Sequence, residues 1–273
     1  MMAAHNFTQN LFSLQGRVAL VTGGYRGIGR MIATGFLQQG ATVYICGRKA
    51  LECDAAAKEM SQFGKCVSIP ADLSRPEGVA ALVATFKSRE KKLDILVNNA
   101  GAAWAEPFAQ FPEKGWDKVV DLNMKTPFFL TQALYAELQE SARQAISTSS
   151  ENVGSHCAKV INIASIDGVS VNPMETYSYA ASKAGLIHLT KRMALKLAPE
   201  GIAVSAIAPG AFASDMNTVA RDQAEETAKR IPSRRIGTTE DMAGAAIYLA
   251  SRAGDYVVGS TLIVDGGVTY ARG

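Results

Sequence analysis

Cysteine is scarce in this chain: Cys46, Cys53, Cys66 and Cys157 are the four in 273 residues. They show no C-x-x-C spacing and no framework pattern, so reduced thiols in a cytoplasmic protein are expected rather than disulfides. Histidine is scarcer. His5, His156 and His188 are scattered without zinc-like spacing, and no metal site is expected. No run of about eighteen apolar residues occurs, which argues against a membrane-spanning helix. The first ten residues lack both a basic cluster and an apolar core, so they do not read as a signal peptide. A strong charge of one sign is also missing. A net charge of +3 gives no reason to expect nucleic acid or an acidic membrane as partner. The absence of G-x-S-x-G argues against a serine hydrolase of the nucleophile-elbow type.

What is present is an ordinary globular composition, 48% hydrophobic and 19% charged. The length suits one large domain that buries about three quarters of its unfolded surface. Short apolar runs at 17–22 (RVALVT), 42–46, 66–69, 93–97, 160–163, 203–207 and 262–264 read as seven strands. Helical stretches at 29–39, 51–63, 77–89, 126–141, 179–197 and 239–249 separate most of them. Strand and helix in alternation imply parallel strands joined by right-handed crossovers. The expected fold is a single-domain, α/β, Rossmann-type doubly wound parallel sheet of seven strands with helices on both faces. Residues 1–15 read as a frayed tail and 16–273 as the domain. Two segments break the rhythm. The polar stretch 143–158 reads as an inserted surface loop. The stretch 210–231 follows the sixth strand and reads as a lid over a ligand.

Residues 22–29 (TGGYRGIG) lie between the first strand and the first helix. Gly23, Gly27 and Gly29 allow a tight turn and close backbone approach to a pyrophosphate, which the helix N-terminus then favours. The second strand ends Ile45-Cys46-Gly47-Arg48-Lys49, with no carboxylate for ribose hydroxyls. Arg48 can fork onto a 2′-phosphate and Arg26 can close on it from the turn, so NADP(H) is expected over NAD(H). Asp72 sits near the expected adenine pocket. It can accept from the adenine amino group or serve a turn with Ser74.

Tyr179 and Lys183 are four apart on one helix and share a face. A phenol has a pKa of about 10, and a nearby cation lowers it, which suits Tyr179 to proton exchange with an alkoxide. Ser165 ends the fifth strand in Ile161-Asn162-Ile163-Ala164-Ser165. Asn98-Asn99-Ala100-Gly101 follows the fourth strand, and Asn123 stands in Asp121-Leu122-Asn123. With Pro209-Gly210 and Asp265-Gly266-Gly267, these motifs resemble the short-chain dehydrogenases/reductases over nearly the whole chain, from about 16 to 267.

That resemblance implies roles. Tyr179 would be the general acid/base. Lys183 would lower the phenol pKa and bind the nicotinamide ribose. Ser165 would hold the substrate oxygen, and Asn123 would bend its helix around a water of the proton relay. The cofactor would be lined by Gly23, Tyr25, Arg26, Gly27, Ile28 and Gly29, by Arg48, by Asp72 and Leu73, and by Asn99, Ala100 and Gly101. Pro209 and Gly210 would sit by the nicotinamide, with Tyr179 and Lys183. Within the family the chain is most similar to the 3-oxoacyl reductases, notably those of rhamnolipid synthesis. Carrier-protein reductases often carry basic residues where this chain has Phe129 and Leu195, which weighs against acyl carrier protein without excluding it. A coenzyme A thioester, a small secondary alcohol or ketone, or a sugar acid stays open. Trp104, Phe212 and Met216 are candidates for an apolar substrate wall or for simple packing. The family also implies a homotetramer through its two long helices, for which Ala133, Ala180, Ala184 and Leu189 are suited. A non-catalytic nucleotide sensor would tend to lose the Tyr or Lys of the quartet, and this chain keeps both.

Overall fold

The computed structural model describes residues 7–148 and 158–271. Seven strands form one parallel sheet: β1 (Val18–Thr22), β2 (Thr42–Cys46), β3 (Cys66–Ser68), β4 (Ile95–Asn98), β5 (Ala158–Ile163), β6 (Ile202–Pro209) and β7 (Thr261–Val264). Their order is β3-β2-β1-β4-β5-β6-β7. Every residue of β1, β4, β5 and β6 is buried, as expected of parallel strands covered on both faces. Successive side chains enter opposite cores. Ala19, Val21, Ile95, Val97, Ile161 and Ile163 face one, while Val18, Leu20, Leu96, Ala158 and Val160 face the other.

Helices α1 (Phe7–Phe12), α2 (Gly27–Gln38), α3 (Ala50–Met60), α4 (Pro76–Arg89) and α5 (Glu113–Val120) come first in the chain. They are followed by α6 (Thr126–Ala133), α7 (Tyr135–Thr148), α8 (Tyr177–Leu197), α9 (Thr218–Asp222), α10 (Ala224–Lys229) and α11 (Thr239–Ala250). Ile32 and Phe36 of α2, Met60 of α3 and Met242 of α11 fill the first core. Phe86 of α4, Leu130 of α6, Leu138 of α7 and Met193 of α8 fill the second. The strand order reverses between β1 and β4, which opens a crevice at the carboxyl ends of those strands. No helix among the described residues is long and apolar enough to cross a membrane.

Three expectations need correction. The proposed loop at 143–158 begins too early, because α7 runs on to Thr148; residues 149–157, with His156 and Cys157, lie outside the described residues. The frayed tail at 1–15 is ordered over α1, and Leu14 is fully buried, with its N–H bonded to the carbonyl of Gln39. Apolar Leu14 thus ties the chain's entry to the end of α2. The single helix expected at 126–141 is two, parted at Leu134.

Candidate active site

The crevice widens into a cleft of about 840 Å³. Its floor is the turn after β1. Gly23 and Gly27 adopt positive φ of 65° and 50°, values open chiefly to glycine. A Cβ on Gly29 would come within 2.4 Å of both the Asn99 side chain and the Gly23 carbonyl, so only glycine lets this turn close. No side chain caps the start of α2, which leaves its first N–H groups to a ligand. Thr22 fastens the turn to β4: its hydroxyl donates to the Val97 carbonyl and accepts from the N–H groups of Asn99 and Ala100, at 2.8 and 2.9 Å. The Asn99 amide donates back to the Thr22 carbonyl at 2.8 Å.

Tyr25, Ile28, Arg48, Asp72, Leu73, Ala100, Gly101, Pro209 and Gly210 also line the cleft. Arg48 is exposed at the mouth. Two expected ligands are engaged within the protein. Arg26 pairs with Asp215 of the 210–231 segment at 2.9 Å. Asp72 accepts from the Ser74 N–H and hydroxyl, at 3.1 and 2.8 Å, the turn role foreseen as its alternative.

At the other end the expected quartet converges. Helix α8 carries Tyr179 and Lys183 one turn apart, both on the cleft. The Tyr179 and Ser165 hydroxyls are hydrogen-bond partners. Lys183 is buried, donates to the Ile163 carbonyl at 2.7 Å and lies 5.6 Å from the centre of the Tyr179 ring. Asn123 sits in a wide π-type turn, Asp121–Lys125, a form common at functional sites. Its side chain exchanges bonds with the backbone of Ala102 and donates to the Ser182 hydroxyl at 3.0 Å.

The protonation of this end differs from the expectation. Burial pushes the Tyr179 phenol up to about 12; the Ser165 bond opposes the shift and the Asp167 charge adds to it. Desolvation pushes the buried Lys183 ammonium down to about 8, which leaves it largely charged at neutral pH.

The apolar wall is also different. Phe212 and Met216 line the cleft, but Trp104 does not. It lies against Gly115 of α5, with Lys118 5.2 Å from the centre of its ring. Ile166 and Met174 line the cleft instead. Several positioning residues were not foreseen. The Asn98 amide donates to Asn162 at 2.9 Å, and Asn162 to Thr190 of α8 at 2.9 Å, all three fully or nearly buried. A polar residue inside the apolar run of β5 was the available sign. Ser182, which donates to the Tyr179 carbonyl at 2.8 Å, had no spacing to betray it.

The family model described as enoyl-(acyl carrier protein) reductase matches residues 23–269. The rhamnolipids biosynthesis 3-oxoacyl-[acyl-carrier-protein] reductase of Pseudomonas aeruginosa is 45% identical, the match covering 94% of this chain and 97% of that protein. The 2-dehydro-3-deoxy-D-gluconate 5-dehydrogenase of Escherichia coli is 38% identical over 94% of this chain and 96% of its own. The solved Pseudomonas aeruginosa RhlG/NADP active-site complex superposes with a TM-score of 0.88 at 42% identity, covering 95% of this chain and 99% of that one. A gluconate 5-dehydrogenase from Burkholderia cenocepacia, solved with NADP and tartrate, gives 0.85 at 32% identity, covering 97% and 100%.

Proposed function

This chain belongs to the short-chain dehydrogenase/reductase family, and on that premise we propose that it is an NADPH-dependent reductase that converts a 3-oxoacyl thioester to the 3-hydroxy form. The observation that carries this reading is the meeting of Ser165, Tyr179 and Lys183 at one end of a glycine-floored cleft, with Asn123 close by across Gly101. The resemblance to the 3-oxoacyl reductases supplies the substrate class.

The residues present fit NADP(H). The uncapped start of α2 and the glycine turn suit a pyrophosphate, and exposed Arg48, with no carboxylate at the end of β2, suits a 2′-phosphate. Asn99, Ala100 and Gly101 line the same groove, and Pro209 and Gly210 close its inner end. The cofactor, when bound, supplies the hydride. The rest is positioning and proton delivery by the chain. Ser165 holds the ketone oxygen against the phenol. Tyr179, protonated at neutral pH, gives its proton to the alkoxide as that oxygen gains charge. Lys183 holds the nicotinamide ribose and adds a positive charge behind the phenol. Asn123 anchors the π-type turn against α8. Residues 210–231 act as the lid, tethered to the glycine turn by Asp215 and Arg26.

A second reading, oxidoreduction of a sugar acid, is favoured by the gluconate-type names of relatives at 38% and 35% identity. Kinetics with NADPH separate the two: acetoacetyl-coenzyme A should exceed 5-keto-D-gluconate in kcat/KM by at least about tenfold. No turnover of the thioester would remove the first reading. Tyr179→Phe should still bind NADPH and lose roughly 100- to 10,000-fold in kcat; turnover at the parent rate would refute the proton-donor role. Arg48→Ala should raise KM for NADPH and leave that for NADH nearly unchanged. We also propose a cytoplasmic homotetramer, supported by exposed Phe128 and Phe129 on α6, Trp116 on α5 and Leu195 on α8.

A further inference from the structure

The reaction described above leaves one carboxylate of the cleft without a task. Asp167 lies two residues beyond Ser165, on the short turn Ile166–Gly168, and lines the cleft beside Tyr179. Its backbone N–H donates to the Ser165 hydroxyl at 3.1 Å, so the turn that presents the serine also fixes the aspartate. Its carboxylate is hydrogen-bonded by Asn172, another cleft residue, whose own side-chain oxygen accepts from the Met174 N–H at 2.7 Å. The carboxylate is thus half-buried on the cleft and held by a neutral amide. Six cations share the cleft: Lys183 is held on the Ile163 carbonyl and Arg26 on Asp215, while Arg48, Arg75, Lys114 and Lys118 also line it, and among the described residues Asp167 forms no ion pair with any of them. A structural aspartate on a turn is normally spent on backbone N–H groups, as Asp265 is with Gly267 and Thr269. Among the described residues, the bond to the Asp167 carboxylate comes from another cleft side chain, Asn172.

We infer that Asp167 is a specificity-determining residue that rejects anionic ketones, so that the substrate is uncharged on both sides of its carbonyl. A ketone held by Ser165 and Tyr179 places its nearest substituent against this carboxylate. In a partly desolvated site, two like charges a few ångströms apart repel strongly enough to cost an order of magnitude or more in binding, by about 332/(εr) kcal/mol with ε near 20. A thioester or ester passes, and a free carboxylate beside the ketone does not. The inference rests on the placement of the ketone given above.

Ethyl acetoacetate and acetoacetate test it, because they share one ketone and differ in charge. With NADPH at neutral pH, the parent should prefer the ester by about tenfold or more in kcat/KM. Asp167→Asn should narrow that ratio by about tenfold, chiefly by improving the anion, and Asp167→Glu should keep it. Titration of NADPH by fluorescence controls for folding, and Asp167→Ser stands in if the Asn variant fails it. Equal use of ester and anion by the parent, or an unchanged ratio in the neutral variants, overturns the inference. Failure of acetoacetyl-coenzyme A alone would sink the thioester reading and leave this ratio measurable.

Discussion

Burial governs the titration of Lys183, a residue only 4% exposed whose ammonium is pushed down from 10.5 to about 8. Between those values the unfolded chain binds more protons than the folded one, so stability rises with pH across that window. Below pH 8 the full cost of holding the charge remains, about 3 kcal/mol at about 1.4 kcal/mol per unit. Lys183→Met removes that cost but strips the Ile163 carbonyl of its donor, a loss of about 1–3 kcal/mol. The variant should therefore be close to the parent in stability at pH 7 and lose ground to it as pH rises toward 10.5, measured by denaturant unfolding at both ends. Its ketone reduction should fall about a hundredfold or more while it stays folded. A lysine kept at such cost is evidence of chemical use. Tyr179 has the opposite sign. Its folded-state value of about 12 keeps the phenol protonated, which suits the donor of the reductive direction. Alcohol oxidation needs the phenolate, so its rate should climb with pH above neutrality while reduction does not. An oxidation profile flat from pH 7 to 10 would separate the phenol from proton transfer.

Helix α8 is the element on which the site is built. It is held from three sides: by Thr190 to Asn162 of β5, by Ser182 to Asn123, and by its packing through Met193 and Leu197 into the second core. Ser182→Ala breaks the link to Asn123 and frees a buried amide donor. It should cost about 1–3 kcal/mol in unfolding free energy. Because it moves the helix carrying Tyr179 and not the glycine turn, kcat should drop several-fold with KM for NADPH little changed. A rise in that KM with kcat intact would make the link merely structural. This level of organisation shows how far residue patterns reach. The strands were legible because a parallel strand buried on both faces has to be apolar along its length, as VALVT in β1 is. Tyr179 and Lys183 were legible because helical spacing alone puts them on one face. The end of α7 was not, since Ala142 is its last described buried residue and the exposed Arg143 and Gln144 carry no apolar period. Helix α5 escaped for a related reason: only Gly115 and Val119 of its eight residues are buried. The raised phenol pKa was invisible because it depends on how much water the fold removes, which no spacing encodes. Trp104 stayed open between substrate wall and packing because its partner, Gly115, belongs to that unseen helix.

On the scale of the whole molecule, the surface holds more apolar area than the cleft requires. Trp116, Phe128, Phe129 and Leu195 are 44%, 37%, 48% and 69% exposed on neighbouring helices α5, α6 and α8. Scattered apolar side chains are ordinary on a monomer, and the tetramer proposed above assigns these four to its interface. The π-type turn between α5 and α6 carries Asn123 and α8 carries Tyr179, so a partner seated there would stiffen the elements that position both. Phe129→Glu places a charge on that surface, where burial without a partner is costly. Sedimentation velocity should show the parent as a tetramer and the variant as a smaller species. The variant should unfold at lower temperature, because the association term is lost by mass action. Its kcat should fall together with assembly as the protein is diluted, while the affinity of the glycine turn for NADPH, on the opposite side of the cleft, stays near that of the parent. A parent that sediments as a monomer at micromolar concentration, or a variant that remains a tetramer, would assign these aromatic side chains to some other contact.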